Sequence, residues 1–232
     1  MKDYKDLEKK IKIRFKDKLS LQKAFIHRSY INEHRDQEIG DNERLEFLGD
    51  AILELAATLH LFKTCPDHSE GQMTAFRSAL VKGRHLAKVG EDLELGKYLF
   101  LSKGEEKSGG REKAYLLGNT VEALIGAIYL EHGFEKTEVF IKEFILKKLD
   151  EIVEKKLHID SKTHFQEIVQ EKIGVTPHYE LLKAEGPDHD KQFIMGVYIN
   201  KKLVAKGQGS SKQKAEDEAA KNALEAEDKW PK

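Results

Sequence analysis

Apolar positions through the first two thirds of the chain recur with the three-to-four-residue period of helices. The spacing predicts helical segments in "LEKKIKIRF" and "LSLQKAFIHRSYI", followed by a polar loop, "NEHRDQEIGD". A long helix then runs from "NERLEFLGD" through "AILELAATLHLF" to about Phe62, and Pro66 closes it. "EGQMTAFRSALVKGRHLAKVGEDLEL" is amphipathic, with breaks expected near Gly83 and Gly90. The polar, glycine-bearing "SKGEEKSGGREK" at 102–113 reads as a loop. "AYLLGNTVEALIGAIYLEHG" returns to an apolar helix ending near Gly133, and "EKTEVFIKEFILKKLDEIVEKK" is a further amphipathic one.

The pattern changes after about residue 157. "HIDSKTHFQEIVQEKIG" keeps the helical period, with Gly174 near its end. The next stretch alternates and breaks as three strands would, around 178–184, 191–199 and 202–209, and "KQKAEDEAAKNALEAE" closes as a helix. The expected architecture is an all-α domain over 1–149, a charged linker over 150–160, and a small α+β domain of order α-β-β-β-α over 161–228. No internal repeat or low-complexity tract interrupts this order.

Composition narrows the class. Among 232 residues, 39% are hydrophobic and 35% charged, as in an ordinary globular protein. The longest strongly apolar run, "ALIGAIYL" at 123–130, is far too short to span a bilayer. The first residues, "MKDYKDLEKK", lack the apolar core of a signal peptide. One cysteine, Cys65, excludes an internal disulfide framework and a Cys-rich zinc site. The expectation is a cytoplasmic protein with no membrane partner and no small-molecule cofactor. A net charge of −1 argues only weakly against a nucleic-acid partner, because a binding footprint is local. Clustered carboxylates elsewhere in the chain would also cancel lysines in the total.

The candidate chemistry starts in "DNERLEFLGDAILEL" at 41–55. Glu43, Glu46 and Asp50 lie within roughly 60° of one helix face, with Leu45, Leu48, Ile52 and Leu59 expected opposite them. Such a stripe is either a solvated acidic face or one that meets a cation. Glu122, inside the apolar "NTVEALIGAIYL", is costly to bury unpaired. Asn119 lies three residues earlier on the same face. Two helices presenting oxygen ligands would suit Mg²⁺; alternatively, Glu122 pairs with a cation such as Arg44 or Arg77.

The motif "NERLEFLGD" at 42–50 resembles the signature of the ribonuclease III family. "HRSY" at 27–30, "KGEEKSGGR" at 103–111 and "EALIGAIYLE" at 122–131 are similar to that family in the same order. The C-terminal residues resemble its double-stranded RNA-binding domain. The resemblance spans essentially the whole chain, and it implies an all-α nuclease domain followed by that α-β-β-β-α module. It further implies a homodimeric endoribonuclease that cleaves double-stranded RNA with Mg²⁺, for which Mn²⁺ can substitute. Products would carry 5′-phosphate and 3′-hydroxyl ends with short 3′ overhangs, in ribosomal and messenger RNA processing. The implied metal ligands are Glu46, Asp50, Asn119 and Glu122, with Asp50 and Glu122 catalytic, Glu43 an accessory acid and Phe47 at the dimer interface. The family more often has aspartate where this chain has Asn119; an amide oxygen still coordinates but adds no charge. That departure motivates an alternative, a double-stranded RNA-binding regulator with reduced or lost cleavage.

By the same resemblance, the duplex contacts are Thr163 and Gln166, the "GPDH" loop with Pro187 and His189, and Ser211, Lys212 and Lys214 opening the last helix. Gln213 stands where the family usually has a second lysine. Residues 158–232 hold no arginine and slightly more acids than lysines, so motif order rather than charge carries this reading. His27, His60 and His85 have no ligand-like spacing and read as structural.

Overall fold

The computed structural model describes residues 2–34, 39–149, 153, 161–187 and 191–231. The chain divides into two compact units, Met1–His158 and Ile159–Lys232.

The first unit is helical. Three short helices, α1 (Lys5–Ile11), α2 (Lys18–Lys23) and α3 (Arg28–Glu33), precede the long α4 (Glu43–Thr64). The apparent single segment "LSLQKAFIHRSYI" is therefore two helices. Between them the backbone turns extended, and Ile26 forms a parallel bridge with Phe100. Helix α4 continues two residues beyond Phe62, its last turn giving way at Cys65 just before Pro66. Helix α5 (Glu70–Val81) opens with a capping box: Ser69 Oγ accepts from the Gln72 amide at 3.3 Å, and Gln72 Oε1 accepts from the Ser69 amide at 2.9 Å. Lys82, at φ −59° and ψ 133°, separates α5 from α6 (Gly83–Asp92), which places the break at Gly83. Gly90 does not break the helix. It lies inside α6, where a Cβ would come within 3.0 Å of Leu117, so its role is close packing.

Residues 102–113 are not a plain loop. Ser102 Oγ accepts from the Glu105 amide at 3.1 Å and starts α7 (Lys103–Lys107); a 3₁₀ turn, Gly110–Glu112, follows. Arg111 Nη1 donates to the carbonyls of Gly96 and Leu99, at 2.8 and 2.9 Å, and ties this segment to the preceding chain. Helix α8 (Ala114–Phe144) bends at Gly133, whose φ of 76° marks the end expected there.

Helices α4 and α8 pack at unusually short range because glycines face each other's backbone. A Cβ on Gly49 would overlap the Glu122 carbonyl, and one on Gly126 would overlap the Leu45 carbonyl. This contact also corrects the expected facing of α4. Leu45 and Ile52 are buried as expected, but the fully buried stripe runs through Leu53, Ala56 and Ala57, and Leu48 and Leu59 are only half-buried. The acids border the core instead of opposing it.

The second unit opens with α9 (Ser161–Ile173). Strands β1 (His178–Glu185), β2 (Gln192–Ile199) and β3 (Lys202–Gly209) form an antiparallel meander of order β1-β2-β3, and α10 (Lys212–Glu225) closes it. Phe165, Val169, Val197, Ile199, Ala219, Ala220 and Ala223 are fully buried between the helices and the sheet. Alanines on α10 meet Gly207 of β3, where a Cβ would overlap Ala219. Trp230 lies edge-on to Phe165, with centroids 5.2 Å apart, and its Nε1 donates to the Ala223 carbonyl at 2.9 Å.

Candidate active site

Helix α4 supplies Glu43, Glu46 and Asp50, and α8 supplies Asn119 and Glu122. The start of α4 is pinned by Asn42, which is buried. Its backbone amide donates to the Ile26 carbonyl at 2.9 Å and its side chain to the Ala24 carbonyl at 3.2 Å. Acids in the first turn suit the partial positive charge of a helix N-terminus. The Gly49–Glu122 approach then brings the acidic edge of α4 against the polar edge of α8.

Asn119 Nδ2 donates to Glu46 Oε1 at 2.8 Å. Glu46 and Glu122 are half-buried and Asp50 is exposed. Burial pushes the Glu46 carboxyl up, the Asn119 bond opposes that, and the charges of Glu43 and Asp50 add to the rise. Glu122 is pushed up to about 7, first by burial and then by Asp50 and Glu46.

Neither suggested cation neutralises Glu122. Arg77 Nε instead pairs with Glu54 at 3.0 Å and its Nη1 donates to Thr58, while Arg44 makes no ion pair among the described residues. Glu43, at the outer end of the stripe, pairs with Arg28 at 3.4 Å. As placed, no three His, Cys, Asp or Glu side chains among the described residues stand close enough together to hold a metal ion. The side chains nonetheless offer oxygen donors, and the three carboxylates repel one another, with Glu46 and Glu122 half-buried. That chemistry fits a hard divalent cation, whose charge would offset the repulsion.

Next to this cluster is a cavity of about 290 Å³ lined by His27, Glu43, Glu46, Tyr115 and Asn119 among others. His27 thus belongs to the site's surroundings. Its spacing in the sequence gave no hint of this, although it opens the "HRSY" block.

In the second unit, Thr163 and Gln166 are exposed on α9, on either side of the buried Phe165. Pro187 is exposed after Gly186, whose φ is 94°. Ser211 Oγ accepts from the Lys214 amide at 3.3 Å and caps α10, which leaves Lys212 and Lys214 exposed in its first turn. His189 and most of the expected linker, 150–160, lie outside the described residues. No described helix is long and apolar enough to cross a membrane.

Comparison with known proteins matches this two-part arrangement. A "Ribonuclease-III-like" family model covers residues 17–149, and a "Double-stranded RNA binding motif" covers 161–226. The chain is 45% identical over 224 residues to "Ribonuclease 3" of Natranaerobius thermophilus, which covers 97% of this chain and 96% of that one. It is 43% identical over 221 residues to "Ribonuclease 3" of Enterococcus faecalis, with 95% and 96% covered. A solved structure of the nuclease domain of ribonuclease III from Campylobacter jejuni matches with a TM-score of 0.58 and 39% identity, covering 62% of this chain and 97% of that one. A helical nuclease unit joined to an α-β-β-β-α module defines an endoribonuclease for double-stranded RNA. The chain belongs to the ribonuclease III family.

Proposed function

We propose that Glu46, Asp50 and Glu122, with the Asn119 side-chain oxygen, hold Mg²⁺ during cleavage, Mn²⁺ being able to substitute. The observation that carries this reading is Glu122. It is a half-buried carboxylate beside two others, it makes no ion pair among the described residues, and its pKa is raised to about 7. Bound there, a divalent cation supplies positive charge that offsets the charge developing on the phosphate and eases deprotonation of an attacking water. Asp50 and Glu122 orient that water, and the Asn119–Glu46 hydrogen bond holds Glu46 in place on the α4 edge. Hydrolysis leaves 5′-phosphate and 3′-hydroxyl ends with short 3′ overhangs. The chain acts in the cytoplasm on ribosomal and messenger RNA precursors.

The duplex is gripped by Thr163 and Gln166, by the loop at Pro187, and by Lys212 and Lys214 at the N-terminus of α10, three separated contacts suited to reading shape. Ser211 sets the third contact by capping that helix.

Cutting two strands needs two acidic clusters, so the working form is a homodimer. Phe47, Leu55 and Phe62 are 81%, 51% and 73% exposed along α4, and Leu130 on α8 is 61% exposed. These are large apolar groups that a second copy would cover. The Phe47 of each copy enters a cavity walled by Leu45, Leu48 and Leu130 of the other. The Campylobacter jejuni structure is described as showing flexibility in a region involved in dimer formation.

The test is cleavage of a perfect RNA duplex with Mg²⁺ and with EDTA. Staggered cuts in Mg²⁺ alone are expected. Tight duplex binding with no cut under either condition would favour the regulator reading that Asn119 suggests.

A further inference from the structure

His27 caps α3, and its Nδ1 accepts from the Ser29 amide at 3.3 Å. The same nitrogen lies 2.8 Å from Ser29 Oγ, which already accepts from the Ser102 amide at 3.0 Å. Ser29 therefore gives its hydroxyl proton to Nδ1, and the ring proton sits on Nε2. Burial lowers the His27 pKa, which keeps the ring neutral near pH 7. Among the described residues, no acceptor takes the Nε2–H.

The backbone that carries the ring is held by three sets of bonds. The His27 amide donates to the Phe100 carbonyl at 3.1 Å, and the Phe100 amide donates to the Phe25 carbonyl at 2.9 Å. Asn42, at the start of α4, donates to the Ile26 and Ala24 carbonyls. His27 thus stands in fixed register with Glu43 and Glu46, and all three line one cavity of about 290 Å³.

The lining dictates what the cavity accepts. Two carboxylates on its wall, Glu46 and the Arg28-paired Glu43, disfavour a phosphate. A neutral N–H donor and carboxylate acceptors lining one cavity suit a group that both accepts and donates, which is a hydroxyl. On a nucleic-acid duplex the hydroxyl available in the groove is the ribose 2′-OH, the group that distinguishes RNA from DNA.

We propose that this cavity binds the 2′-hydroxyl of a nucleotide flanking the scissile phosphate, with His27 Nε2–H as donor and the Glu43 carboxylate as acceptor. The proposal rests on the metal-site reading, because that reading puts the scissile phosphate beside the cavity. His27 is then a substrate-binding residue that makes cleavage sensitive to the sugar.

The experiment uses the full chain and duplexes that each carry a single 2′-deoxy nucleotide, scanned over three positions on either side of the cut on both strands. For the wild-type protein, one position should lower the cleavage rate about five- to ten-fold, the size expected for one hydrogen bond. His27→Asn keeps an oxygen that can cap α3 but lacks the distal donor. It should melt like the wild type, cleave all-RNA duplex more slowly by the same factor, and be indifferent to the deoxy substitution at that position. His27→Gln, which restores a distal N–H, should regain part of the sensitivity.

A wild-type protein indifferent to every deoxy position would overturn the proposal without need of any variant. So would His27→Asn retaining full sensitivity. Glu122→Gln in the same assay separates the two readings: normal cleavage by that variant defeats the metal site. An inactive Glu122→Gln beside an unchanged deoxy sensitivity in His27→Asn defeats the 2′-hydroxyl subsite alone.

Discussion

Asn119 Nδ2 donates to Glu46 Oε1 at 2.8 Å, joining side chains 73 residues apart in sequence. The amide therefore presents its N–H, and not its oxygen, to the nearest carboxylate. It stabilises the ionised form of Glu46 and limits the rise in that group's pKa.

Replacing Asn119 with Asp removes this donor and sets a like charge against Glu46. Without metal at pH 8 the variant should melt below the wild type. With Mg²⁺ the added charge should strengthen binding, and we expect about 1 kcal/mol to survive the dehydration of the ion, a few-fold lower half-saturating concentration. Melting curves and initial cleavage rates across a Mg²⁺ titration measure both effects. Superimposable titrations would show that position 119 does not sense the cation's charge.

Glu122 carries a pH dependence whose sign follows from its raised pKa. Below pH 4.5 it is protonated in both folded and unfolded chains and costs nothing. Between 4.5 and about 7 the unfolded chain has lost the proton that the folded chain keeps, so metal-free stability falls as pH rises. Above about 7 the penalty is complete, on the order of 2 kcal/mol after allowing for solvent screening. Glu122→Gln should therefore be the more stable protein at pH 8 without metal and its equal near pH 4.5. It should not cleave, while duplex binding stays within a few-fold. Urea unfolding at the two pH values, beside a gel-shift assay, tests each part.

Gly49→Ala should destabilise the first unit by about 3 kcal/mol or more, because its methyl group would overlap the Glu122 carbonyl and force α4 from α8. Gly71→Ala is the control, since no atom lies within 4 Å of its added Cβ. Thermal melts of both variants decide it. Equal stability would mean that the helix contact is looser than described.

The Phe47 ring is 81% exposed within one chain. If the proposed homodimer forms through this face, Phe47→Ala should leave the fold of each copy intact and raise its dissociation constant at least about ten-fold, as loss of an aromatic anchor does. Sedimentation at micromolar concentration reads this directly, with circular dichroism as the check on folding. An unchanged dimer would place the interface elsewhere.

Lys212 is exposed in the first turn of α10, clear of the buried alanines. Lys212→Ala should weaken duplex binding similarly for all sequences and lower the salt slope by about 1. Cleavage at saturating RNA should change little. Binding isotherms at several salt concentrations test this, and an unaltered slope would remove Lys212 from the phosphate contacts.

Much of this protein is legible along the chain because its signals are local. Helical period gives α4 and α8, alternation gives the three strands, and i, i+3 and i+7 spacing puts Glu43, Glu46 and Asp50 on one helix edge. Helix α7 also had a local signal, Ser102 followed three residues later by Glu105, which its glycines obscured. Other features depend on chain segments remote from one another. The acids border the core, instead of opposing it, because Gly49 admits the α8 backbone, and one helix's periodicity carries no record of which neighbour packs against it. The orientation of the Asn119 amide was settled by a carboxylate on another helix. His27 had no meaning as an isolated histidine; the bridge to Phe100 and the Asn42 bonds bring it to Glu43 and Glu46. Periodicity fixes which faces a segment has, and close packing between distant segments decides what each face meets.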